Sequence, residues 1–195
     1  MNKLILADKY SKLVGFDKER FKSDVKEVTN KLNKVNVPDI SMIYSKGKRD
    51  AIFYSICIRL ALRSNRLLDY TVVTGQTFMN QHFLNGERDM ELYDSVMYGD
   101  ITFISLSQAD YTGEFLESLL IDLVEFRKGL QKPTFIIYDT IDDDYMIRTK
   151  KLKEHFDNSY YGSINLNSIS VFDTQTSKKP ELDKPKKTAQ NRRIL

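Results

Sequence analysis

The turn Met42-Ile43-Tyr44-Ser45-Lys46-Gly47-Lys48-Arg49 is the place in this 195-residue chain where residue types and spacing come nearest to phosphate chemistry. A phosphate loop reads G-x-x-x-x-G-K-[ST]. Its glycines let backbone N–H groups approach the phosphates, its lysine reaches the outer ones, and its hydroxyl holds Mg²⁺. Gly47 and Lys48 match the second half, whereas Met42 stands at the first glycine and Arg49 at the hydroxyl. A Gly-Lys pair alone also fits an ordinary basic turn, and the motif by itself favours that plainer role. Hydrolysis further requires a carboxylate at the end of a later strand to hold the metal. The segment Ile101–Leu106 ends in Ser105-Leu106-Ser107, with Asp100 before it and Asp110 beyond it. Metal-assisted hydrolysis thus has no obvious ligands.

Other chemistry-bearing residues read more plainly. His82 and His155 are isolated, so no histidine metal site is expected. Asp142-Asp143-Asp144 lacks the spacing of a calcium loop and reads as a solvated acidic turn. Cys57 falls on an apolar helical stripe and reads as a buried, inert thiol. Tyr160-Tyr161 could stack on bases but is better read as packing with the hydroxyl in water. Lys150, Lys151 and Lys153 add to a solvated basic face, and Asp39, Asp50 and Asp69 read as caps at element ends. The segment 174–195 carries Lys178, Lys179, Lys184, Lys186, Lys187, Arg192 and Arg193 against Glu181 and Asp183. It holds more than the whole net charge of +3, and reads as a disordered basic tail that could contact nucleic acid or another acidic partner.

The elements that must position these groups alternate. Phe21, Val25, Val28 and Leu32 recur at helical spacing, which predicts a helix over 17–33 capped by Asp17. Ile40–Tyr44 predicts a buried strand, and Asp50 opens a helix to about Ser64. Tyr70–Thr74 predicts a strand, Thr77–Phe83 a helix, and a polar stretch follows around Gly86. Ile101–Leu106 is the clearest strand, followed by a helix from about Thr112 to Gly129 with Gly129 at its C-cap. Thr134–Tyr138, a helix over Ile147–Phe156, and a strand within Ile164–Phe172 complete the series. Five strands separated by helices predict an α/β fold: a mainly parallel sheet with flanking helices.

Composition agrees, with 41% apolar and 29% charged residues as in soluble globular domains. No apolar run approaches the roughly 18 residues of a membrane span, and no signal peptide is read. One cysteine excludes an intrachain disulfide and points to a reducing, cytoplasmic setting.

Gly99-Asp100-Ile101-Thr102-Phe103-Ile104-Ser105-Leu106, a leucine-rich helix, Arg127, and Lys132-Pro133-Thr134-Phe135-Ile136-Ile137-Tyr138-Asp139 together resemble the ATPase domain of bacterial replicative helicase loaders of the DnaC/DnaI type. Tyr70–Phe83 resembles that family's second strand and its helix. The resemblance covers roughly Asp39 to Phe172 and implies an AAA+/P-loop-like fold without a lid domain, in a replication context. Carried over by position, Gly47 and Lys48 stand at the phosphate loop, and Arg49 departs from its hydroxyl. Ser105 and Leu106 depart from the paired acids, Asp139 stands at the sensor Asn, and Arg127 matches the arginine before Lys-Pro-Thr. The expected organisation is an N-terminal helical segment (1–37), an AAA+-like domain (38–173) and the basic tail (174–195). The expected role is a non-catalytic replication accessory protein, adaptor or inhibitor, of a kind found in phages. Its expected partner is a replicative helicase or an AAA+ loader, contacted through Arg127 and the tail. No cofactor is expected. The alternatives are a true loader that binds Mg-ATP or Mg-ADP through Lys48, and a module that binds single-stranded DNA through its tail.

Overall fold

The computed structural model describes residues 17–83, 89–107, 114–139, 150–159 and 161–170. Five strands form one parallel sheet: β1 (Ile40–Ser45), β2 (Tyr70–Thr74), β3 (Ile101–Ser107), β4 (Thr134–Asp139) and β5 (Gly162–Asn165). Among the described residues six helices accompany them: α1 (Lys18–Leu32), α2 (Arg49–Ser64), α3 (Gly75–Phe83), α4 (Met90–Tyr98), α5 (Glu114–Gly129) and α6 (Lys150–Asn158). The sheet runs in the order β2-β3-β4-β1-β5, and every pairing is parallel. This is the α/β sheet that the alternation of patterns predicts.

The connectivity explains the two layers. The link from β1 to β2 runs toward one edge of the sheet, while every later link runs toward the other. Right-handed crossovers therefore put α2 on one face and α3 to α6 on the opposite face. The core divides accordingly, and the two-residue period of each strand feeds both halves. Met42, Ile104, Leu106 and Ile136 pack with α3 to α6, and Ile43, Phe103, Phe135 and Ile137 pack with α1 and α2. The strands buried on both sides are continuous apolar runs, as parallel strands are.

Local chemistry sets the ends. Asp17 caps α1 through its side chain, accepting from the amides of Glu19 and Arg20 at 3.1 and 3.0 Å. Docked by Val28 and Leu32, α1 packs on α2 and on the Ile43/Ile164 side of the sheet. Thr29 and Ser55 join the two helices at 3.1 Å. Glu117, only 4% exposed, reaches from α5 to accept the Leu152 amide at 2.8 Å, so a buried carboxylate caps the short helix α6. Gly162 lets β5 lie close to β1, because a Cβ there would sit 2.5 Å from Ser41 Oγ and 2.8 Å from Pro38 Cδ.

Several boundaries differ from the sequence expectations. Helix α4 occupies the end of the stretch read as polar, because Asp89 caps it at the Leu92 amide (2.9 Å). The last described strand is Gly162–Asn165, which starts two residues before the stretch 164–172 expected to contain it; residues 171 and 172 lie outside the described ones. Helix α5 closes in a paired-turn cap: the Lys132 amide donates to Arg127 O (2.9 Å) and the Gln131 amide to Lys128 O (2.9 Å). The left-handed residue there is Gln131 (φ 55°), not Gly129. A side chain at positive φ costs about 1 kcal/mol that glycine avoids. Gln131→Gly should therefore raise the melting temperature by roughly 2–4 °C, measured by thermal unfolding. Asp39 and Asp69 cap no helix. Asp39 takes both oxygens to Arg63 (2.7 Å each), and Asp69 offers its backbone to β3 (Ile101 N to Asp69 O, 3.0 Å).

Candidate functional site

Ligands of open parallel sheets bind at the carboxyl ends of the strands where connections leave for opposite faces. Here that point lies between β1 and β4, which are paired so that Ser45 faces Asp139. The chain leaves β1 for α2 on one face and β4 for α6 on the other. The turn Lys46–Lys48 sits on this crevice. Gly47 takes φ +67°, a left-handed conformation open to glycine, and aims its amide across the crevice. Lys48 follows as the N-cap residue of α2 and offers no side-chain cap. Arg49 opens the helix, and Asp50 lies in its first turn against the positive end of the dipole.

Gly47, Lys48, Arg49 and Asp139 are therefore brought together, as their positions in the sequence suggested. Their partners are new. Asp139 Oδ1 accepts the Gly47 amide at 2.6 Å, so a carboxylate takes the loop donor. Lys48 Nζ is ion-paired to Glu27 and lies 3.8 Å from Asp24 Oδ1, both on α1. Glu27 also pairs with Lys31 at 2.9 Å. The hydrogen bonds from Lys48 and Lys31 outweigh burial and hold the Glu27 carboxyl below its ordinary pKa. Arg49 turns to Asp50 (3.3 Å), and Arg20 of α1 lies 4.0 Å from Asp24.

The space left is a cleft of about 260 Å³ between the α1 residues Arg20, Phe21 and Asp24 and the turn Gly47–Ala51, with Asp139 beside it. Drug-sized ligand sites span about 300–1,000 Å³. Around the turn, the carboxylates of Asp17, Asp24, Glu27, Asp50 and Asp139 match the cations of Arg20, Lys31, Lys46, Lys48 and Arg49 one for one. The strand-end position on β3 is equally unsuited to a metal. Ser105 is 2% exposed on the α2 face, and Leu106 is fully buried against α5. Asp100 lies at the opposite end of β3, held by Arg66 and Lys132 at 3.3 Å each. Burial pushes its pKa up, but Lys132, the Asp69 amide and Arg66 together hold it below the ordinary carboxylate value. Among the described residues, no group of three histidine, cysteine or acidic side chains is placed to hold a metal ion.

Arg127 is not a contact residue. It is fully buried, and its guanidinium spends its five N–H donors inside the fold. Nε donates to Thr134 Oγ1 (2.8 Å), Nη1 to Val96 O and Met97 O (2.9 and 3.0 Å), and Nη2 to Gly99 O and Pro133 O (3.1 and 3.0 Å). The Val96 and Met97 carbonyls belong to the last turn of α4, so Arg127 caps that helix with a full charge. Burial draws its pKa down to about 10, which leaves it charged at neutral pH.

Other sequence readings resolve plainly. Cys57 is buried, and burial pushes its thiol up to about 12, so it stays protonated. Tyr161 packs against Phe156 and donates to Glu125 (2.5 Å), which also meets His155 Nε2 at 2.9 Å. Lys150, Lys151 and Lys153 pair with Glu154, Glu114 and Asp157. Asp110, the run Asp142–Asp144, Tyr160 and the basic residues from Lys178 to Arg193 lie outside the described residues. No described helix is long and apolar enough to cross a membrane. Sequence reasoning missed Asp24 and Glu27. Their signal was their spacing of three beside the apolar stripe of α1, with Glu27 four residues before Lys31.

No family model and no curated protein matches this chain. Among solved structures, it is similar to the AMPPCP-bound DnaA of Aquifex aeolicus, with a TM-score of 0.40 and 14% identity over 65% of this chain and 42% of that one. It is also similar to C. elegans PCH-2, with a TM-score of 0.34 and 12% identity over 78% of this chain and 43% of that one. The chain spans less than half the length of either. Likenesses of this degree fix neither family nor activity.

Proposed function

We propose that this protein is a non-catalytic accessory factor of DNA replication, a degenerate helicase-loader-like domain that works by binding a replicative helicase or an AAA+ loader. The reading keeps the loader resemblance of the strands and of the turn after β1, which lies at the switch point of the sheet. The observation that carries the non-catalytic part is the occupation of the phosphate turn by the protein's own carboxylates, Asp139 on the Gly47 amide and Glu27 on Lys48. A nucleoside triphosphate would meet a crevice whose cations are already matched by carboxylates, and would find neither the hydroxyl nor the strand-end acid that a catalytic metal needs. A partner surface has support in the exposed apolar group Tyr98, Phe126 and Leu130. The Tyr98 and Phe126 rings meet edge-on at 5.6 Å, and Leu130 lies one turn beyond Phe126. Exposed apolar side chains that cluster in this way can seat a partner.

Two measurements test the reading. Millimolar Mg-ATP or Mg-ADP should leave the melting temperature unchanged. A ligand at a hundred times its dissociation constant would stabilise by about 2.7 kcal/mol, a shift of several degrees. A shift lost in Lys48→Ala would instead make the protein a nucleotide-binding loader. Purified replicative helicase or loader should be retained on the immobilised protein, and less so on Phe126→Asp. Retention of neither would remove the replication reading.

A further inference from the structure

We propose that the crevice is closed by an autoinhibitory lock: helix α1 supplies Asp24 and Glu27, and β4 supplies Asp139, as internal stand-ins for a polyphosphate anion. The inference rests on the reading above that the native crevice takes no nucleotide, and it names the cause. The loop has not lost its donors. Gly47 keeps the positive φ that aims its amide into the crevice, Lys48 keeps its ammonium at the start of α2, and Arg49 stands next to it. What differs is that the Gly47 amide and Lys48 each already hold a carboxylate delivered from a distant part of the chain, while Arg49 turns to its neighbour Asp50. Asp139 lies 92 residues from Gly47, and Glu27 lies 21 residues before Lys48. An ionised carboxylate offers the acceptor oxygens a phosphate would offer, and its negative charge is satisfied by the same amide and helix dipole.

The way α1 is seated makes this a lock and not a fixed wall. Its two buried side chains, Val28 and Leu32, both lie in its C-terminal half. That half is also tied by Thr29 to Ser55 and by Arg59 to the Leu32 carbonyl (3.1 Å). The half that borders the crevice, from Asp17 to Asp24, has no fully buried residue and is held by the edge-on contact of Phe21 with Tyr54 at 5.5 Å. Asp24 thus stands on the more loosely seated half of α1, while Glu27 adjoins the anchored Val28. The Lys48 pairs with Glu27 and Asp24 then serve as the latch. Lys48 is 26% exposed and Glu27 32%, so the latch is within reach of solvent and of a competing anion.

The test is calorimetric titration of the full-length protein with inorganic pyrophosphate at low salt. The wild type should show no binding at millimolar concentration. The isosteric variant Asp24→Asn/Glu27→Gln/Asp139→Asn should bind at least tenfold more tightly than the wild-type limit, and adding Lys48→Ala should abolish the gain. A folded triple variant that stays silent overturns the lock, and so does a gain that survives Lys48→Ala. Should the triple variant not fold, Glu27→Gln and Asp139→Asn alone must each bring measurable binding, and silence in both overturns the proposal. Lys48-dependent binding by the wild type would overturn the reading of a silent crevice. A silent wild type with a silent variant overturns the lock alone.

Discussion

Arg127→Met should destabilise the fold by about 3–5 kcal/mol and lower the melting temperature by roughly 10 °C. The substitution keeps most of the buried volume but removes five donors at once. The carbonyls of Met97 and Gly99, among those it satisfies, are left without the guanidinium, and each buried orphan costs about 1–3 kcal/mol. Arg127→Lys should recover less than half of the loss. An ammonium carries three donors at one point and cannot span acceptors on α4, on the link to β3 and on the start of β4. Near-native melting of Arg127→Met would mean that water can replace the guanidinium and that α4 is held by other means. Because no solvent-facing group is changed, partner binding should fall only in step with the folded fraction.

Phe156→Ala should cost a similar amount, about 3–5 kcal/mol, by opening a cavity where α6 meets the sheet. Phe156 and Leu152 are fully buried and are the only two buried side chains of this nine-residue helix. Besides these, α6 is held by the Glu117 carboxylate at its first turn, the Lys151–Glu114 pair and the exposed group of Glu125, His155 and Tyr161. The loss should be local before it is global. Hydrogen exchange of the α6 amides should accelerate far more than that of β3 and β4, which lie at the centre of the sheet. Uniform acceleration would instead show that α6 unfolds only with the whole domain.

How far the sequence could be read depended on which force placed each element. Strands buried on both faces announce themselves, so β3 and β4 were legible to within one residue, and the β-branched run of the edge strand β2 made it legible to the residue. Helix α1 and its cap were equally plain, because Asp17 precedes an unbroken apolar stripe. Helix α4 was not, since it buries only Val96 fully and depends on Arg127 to close its end. Arg127 itself was misread for a physical reason. Arginine is taken as a surface residue, yet this one continues the inner stripe Leu116, Leu120, Leu123 and Val124 at helical spacing. A charge in register with a core stripe is the sign that it enters the core. At the crevice, Gly47 and Lys48 could be found from their own motif. Asp139 was named only through the family resemblance, and Asp24 and Glu27 were not named at all, because their contacts reach the turn from α1 and no local pattern encodes them.

The placement of β5 beside β1 has a consequence for how the chain reaches its native state. Ser41 pairs with Gly162, and α1 rests on Ile164 and Leu166, so the earliest helix and strand find their final neighbours in the latest segment of the sheet. Closing a loop of more than a hundred residues must precede the reward of that pairing, which is the topology of slow folders. During synthesis β1 would wait with one edge open and α1 with half its seat missing. A ribosome-bound chain of which only the residues before 160 have emerged should leave α1 open to proteases while β2, β3 and β4 are already protected.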